Sequence, residues 1–114
     1  IGPEGAKALA QNTSWMNLIW LRLQNNNIGP EGAKALAQNT SWINLKCLNL
    51  ASNSLGIEGA KALSHNTSWV NLISLDLQDN EIDSEEEEEK EMVQELFTQN
   101  SCWTNLFSVN LDQN

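Results

Sequence analysis

Cations are scarce in this chain: six Lys and Arg stand against 15 Asp and Glu, for a formal net charge of −9. An acidic surface repels phosphate backbones and anionic headgroups, which argues against nucleic acid and membrane as partners and for another protein that presents a basic patch. One histidine, His65, offers no cluster for metal binding or proton relay. It sits at a variable helix-end position, where Gln11 and Gln38 stand in the earlier copies, and reads as solvated. No apolar run is long enough to span a bilayer. Neither a phosphate loop nor a nucleophile elbow occurs. The chain therefore reads as a non-enzyme with no cofactor and no metal.

Only two cysteines are present, Cys47 and Cys102. They fall at different places in different repeats, and two strand spacings alone part them by roughly 10 Å. That exceeds the about 7 Å Cα limit of a disulfide. Two free thiols favour a reducing, cytoplasmic setting. The sequons at Asn12, Asn39 and Asn66 read as loop chemistry carried along by repetition. The first residue, Ile1, is not Met and lies inside a repeat, so the chain reads as a fragment of a longer array.

What is abundant is repetition. IGPEGAKALAQNTSWMNL begins at Ile1, IGPEGAKALAQNTSWINL at Ile28 and LGIEGAKALSHNTSWVNL at Leu55, a period of 27 residues. A fourth, altered copy opens at Ile82. One domain of about four units follows, 1–27, 28–54, 55–81 and 82–114. Repeats of this length stack into a solenoid in which each unit buries its apolar face against its neighbours.

Within a unit the alternation Leu21-x-Leu23 has period two and marks a short strand with one buried face. Recurrence at a fixed offset makes the strands parallel, near 20–23, 47–50, 74–77 and 108–111. Asn26, Asn53, Asn80 and Asn114 close the strands and should align into a structural asparagine ladder. Gly2 to Gln11 reads as a helix. Pro3 suits its first turn, Glu4 meets the positive end of the dipole, and Ala6, Leu9 and Ala10 form the inward stripe. Asn12 is expected to end it in a left-handed turn. Helices are therefore expected near 3–11, 30–38, 57–65 and 84–99. Helices are about 10 Å wide and strands stack about 4.8 Å apart. The fold class is thus an α/β solenoid bent into an arc, with parallel strands on the concave face and helices on the convex face.

The pattern Leu-x-x-Leu-x-Leu-x-x-Asn, at Leu18, Leu21, Leu23 and Asn26 and again in the later units, is followed by Ile-Gly-x-Glu-Gly-Ala-Lys-Ala-Leu. It resembles the leucine-rich repeats of the ribonuclease-inhibitor type, the class that includes NOD-like receptors and the Ran GTPase-activating protein. The resemblance implies a horseshoe arc and a protein–protein interaction module, the partner-binding part of an intracellular receptor or regulator. Two alternatives stay open: an enzyme regulator, either an inhibitor or a GTPase activator, and a structural repeat that self-associates through exposed sheet edges.

Two departures from that pattern stand out. Trp15, Trp42, Trp69 and Trp103 occupy a position that is usually Leu, and read as buried structural rings. The last unit is longer: Trp69 to Trp103 spans 34 residues, seven more than the period. Seven residues are close to two helical turns, so Leu96 and Phe97 should keep the places of Ala8 and Leu9. The insertion carries Glu85 to Glu89, which would cover every side of a helix and therefore project from the body. Ser84 with Glu87 reads as a capping box.

Binding information should sit where the repeats differ. The frame Ala-Lys-Ala-Leu and Asn-Thr-Ser-Trp is nearly constant. The strand positions pointing away from the core vary: Trp20, Arg22 and Gln24; Cys47, Asn49 and Ala51; Ser74, Asp76 and Gln78; Ser108, Asn110 and Asp112. Trp and Arg are the types most enriched at binding hot spots, so Trp20 and Arg22 lead the candidates.

Overall fold

A computed structural model describes residues 1–82, 87–103 and 108–111, with 87–90 and 108–110 as backbone alone. Helices and strands alternate: α1 (Gly2–Ala10), β1 (Trp20–Arg22), α2 (Gly29–Ala37), β2 (Cys47–Asn49), α3 (Gly56–Ser64), β3 (Ser74–Asp76), α4 (Glu87–Gln99) and β4 (Ser108–Asn110). The strands form one parallel sheet in the order β1-β2-β3-β4. Leu21 pairs with Leu48, Leu48 with Leu75, and Leu75 with Val109. The sheet absorbs the longer last repeat without losing register. This is the α/β arrangement of stacked parallel strands backed by helices expected from the period.

The core lies between sheet and helices. Leu48, Leu50, Leu75 and Leu77 are buried from the strands, and Ala33, Leu36, Ala60 and Leu63 from the helices. Trp42, Trp69 and Trp103 are buried as well, while Trp15 in the first unit is 46% exposed. The three buried indole nitrogens have no hydrogen-bond partner among the described residues, so these rings act through area and packing.

Helices α1, α2 and α3 pack closely because glycine and alanine line their contact. A methyl group added at Gly32 would fall 2.5 Å from Ile28 Cγ2 and 3.0 Å from Ala6 Cβ, with Pro3 Cα at 3.4 Å. Gly59 stands in the same relation to Ala33 and Pro30. Gly32→Ala improves helix propensity by about 1 kcal/mol but overpacks a buried contact by about 1–3 kcal/mol. A net loss of up to about 2 kcal/mol is expected in a denaturant melt.

Helix α4 departs from this scheme. Phe97 is buried and keeps the place of Leu36 and Leu63, and its ring stacks on Trp103 with centroids 5.8 Å apart. Val93, however, stands where Gly32 and Gly59 stand, and Gln94, at the place of the buried Ala33 and Ala60, is exposed. Valine in the glycine position blocks close approach, and α4 packs more loosely on α3 than the earlier helices pack on each other. The face therefore stays in phase at Val93 and Phe97, both buried, and departs only at the exposed Gln94. Ser84, Glu85 and Glu86 lie outside the described residues, as do the side chains of Glu87 to Lys90. So do the projecting run and the capping box assigned to them.

Candidate protein-interaction surface

Asparagines fix the backbone on which the candidate surface stands. Asn53 Oδ1 accepts from the Asn26 N–H at 2.8 Å and the Ile28 N–H at 3.3 Å, while its amide donates to Leu23, Leu50 and Ala51 carbonyls. Asn80 accepts in the same way from the N–H groups of Asn53 and Leu55 and donates to Leu50 O. Asn26, half-buried, donates to Gln24 O. Asn114 lies outside the described residues.

Two further ladders accompany this one. Asn39 donates to the carbonyls of Ala10 and Asn12, Asn66 to those of Ala37 and Asn39, and Asn100 to those of Ser64 and Asn66. Their Oδ1 atoms cap the following turn, as Asn12 Oδ1 does for the N–H groups of Ser14 and Trp15. This corrects the expected left-handed helix end at Asn12, because the helix closes right-handed at Gln11, with φ −82°. The left-handed residues come after the strands instead, at Asn25, Asn27, Ser52, Ser54, Asp79 and Glu81. Burial of Asn39 and Asn66 also places two of the sequon side chains inside the stack. The third ladder precedes the strands: Asn44 donates to Met16 O and Asn71 to Ile43 O, each at 2.8 Å.

On this frame the open face of the sheet carries the variable residues. Trp20, Arg22 and Gln24 are exposed, with Trp20 at 64%. Cys47, Asn49, Ala51, Ser74, Asp76 and Gln78 are half-buried. The register aligns Trp20, Cys47, Ser74 and Ser108 in one row and Arg22, Asn49, Asp76 and Asn110 in the next. The side chains of Ser108 and Asn110, and the whole of Asp112, lie outside the described residues. Asn49 and Asp76 are partly committed: each Oδ1 accepts, at 3.0 Å, the N–H two residues on, in Ala51 and Gln78. In the second row an amide and a carboxylate therefore shape their own turns as well as facing outward.

Few reactive groups gather among the described residues. No group of three or more His, Cys, Asp or Glu that could hold a metal ion occurs among the described residues. His65 is exposed and closes α3. Both cysteines are free. A depression of about 600 Å³ at the first unit is lined by Ile1, Leu9, Gln11, Asn12 and Trp15 among others, a set without acid, base or nucleophile. No described helix is long and apolar enough to cross a membrane.

Exposed apolar residues just before the strands escaped the strand-centred reading of the sequence. Met16, Ile43 and Val70 hold one offset of the repeat, and Ile19 and Ile73 another, all between 38% and 54% exposed. The signal was the persistence of large apolar types at a position outside the helix and strand periods.

A comparison with curated proteins gave no match. Comparison with family models matched the Leucine Rich repeat over residues 16–37, 43–64 and 70–85. Those segments cover just over half of the chain, and each runs from the pre-strand turn through the strand toward or into the following helix. Repeats of this kind generally serve protein–protein interaction. With the parallel sheet, the helix layer and the asparagine ladders all following the same period, the chain belongs to the leucine-rich repeat family.

Proposed function

We propose that the four units act as one protein-binding module of the ribonuclease-inhibitor type, the partner-binding part of an intracellular receptor or regulator. The observation that carries this reading is the contrast between the two faces. Helix positions repeat almost unchanged through α1, α2 and α3, and their lysines lie beside neighbouring glutamates. The sheet face changes from unit to unit and carries Trp20 and Arg22 exposed on a rigid backbone. Free cysteines accord with a reducing compartment.

Calorimetric titration of a partner protein tests the assignment. Trp20→Ala and Arg22→Ala should each weaken binding by about 1–2 kcal/mol or more. Lys34→Ala and Lys61→Ala, on the helices, should change little. The opposite pattern would move the site to the convex side.

A further inference from the structure

The rim before the strands forms a shelf with its own charge. Met16, Ile43 and Val70 lie in one row, and Ile19, Lys46 and Ile73 in the next, with Trp20 beside them on the sheet. Backbone bonds lock the rows: the Lys46 N–H donates to Ile19 O and the Ile73 N–H to Lys46 O, each at 2.8 Å. Asn44 and Asn71 hold the carbonyls of Met16 and Ile43. Large exposed apolar groups gathered on a fixed backbone mark an interaction site, and little ordering entropy remains to be lost on binding.

The charge of this shelf is opposite to that of the whole chain. Lys7, Lys34 and Lys61 lie 3.2, 3.1 and 4.0 Å from Glu4, Glu31 and Glu58. Lys46 and Arg22 have no acidic partner among the described residues. Lys46 sits within the apolar row, and Arg22 stands two residues beyond Trp20 on the same face. Asp76 is two strands from Arg22, roughly 10 Å away and beyond ion-pair reach. The sequence divides the same way. Residues 1–54 hold four basic and two acidic residues, net +2, and residues 55–114 hold two basic and thirteen acidic, net −11, which together give the −9 of the chain. At physiological salt, charges more than about 8 Å apart on the surface are largely screened, so the shelf responds to its own cations.

We infer that the shelf formed by Met16, Ile19, Trp20 and Ile43 with Lys46 and Arg22 docks an acidic peptide segment of a partner protein. Large apolar side chains of the segment seat on the rows, and its carboxylates meet Lys46 and Arg22. The inference rests on the protein-binding reading and specifies its partner. Net charge alone points to a basic partner; the distribution of unpaired cations reverses that sign for the first two units.

Panning a phage-displayed library of random peptides against the full chain tests it. The enriched sequences should combine Asp or Glu with large apolar residues. They should bind a Lys46→Glu, Arg22→Glu double variant at least about tenfold more weakly and a Lys34→Glu control unchanged. All three changed side chains are exposed or half-exposed, and a circular dichroism spectrum checks that the variants fold. Enriched peptides that are basic, or acidic ones indifferent to the double variant, overturn the inference and leave the module reading standing. A library with no enrichment at all counts against both.

Discussion

Leu75→Ala should cost about 2–5 kcal/mol, the range for truncating a large buried aliphatic side chain. Leu75 is fully buried, and its strand pairs with Leu48 on one side and Val109 on the other. A solenoid has no distant core to compensate, because each unit touches only its neighbours. The loss therefore falls on two interfaces at once and should appear as a lower melting temperature, by several degrees for each kcal/mol in a domain of this size. Ser74→Ala, one residue earlier and half-buried on the open face, is the control and should stay within about 0.5 kcal/mol. Equal melts for Leu75→Ala and wild type would mean that the strand is out of register.

Asn53→Ala should be comparably severe although it removes no apolar area. Asn53 is 1% exposed, and its Oδ1 is the acceptor for two backbone N–H groups, those of Asn26 and Ile28. A buried donor left without an acceptor costs about 1–3 kcal/mol, and the carbonyls of Leu23, Leu50 and Ala51 lose their amide as well. A loss of about 3 kcal/mol or more is expected in urea denaturation. A cost below about 1 kcal/mol would show that water or backbone movement satisfies those groups.

Most of the architecture was legible because repetition repeats the evidence. A three-residue strand such as Trp20–Arg22 is weak alone. The same alternation at Cys47–Asn49 and Ser74–Asp76 made parallel pairing hard to avoid. The asparagine ladders were only partly legible. Asn53 follows a strand and invites one reading. Asn39 and Asn44 stand in turns, and their partners are carbonyls of the unit before, which no local pattern reveals. Helix α4 was legible in its phase but not in its packing. The seven-residue insertion preserves the helical face, but Val93 in a glycine position changes how near the helix can come.

The candidate surface was half visible. Trp20 and Arg22 followed from strand alternation, and the structure leaves both exposed. Asn49 and Asp76 could not be separated from free binding groups until their turns were seen. The pairs of Lys7, Lys34 and Lys61 were legible as i,i+3 spacings within one helix, whereas the lack of an acidic partner for Lys46 and Arg22 among the described residues was not.

The central claim is that a partner reads the open sheet face and the rim before it, not the helices. Hydrogen–deuterium exchange with and without a peptide enriched from the library tests this most directly. Protection is expected in residues 16–24 and 43–51, with the helices Gly2–Ala10 and Gly29–Ala37 unchanged. Protection confined to those helices would contradict the account.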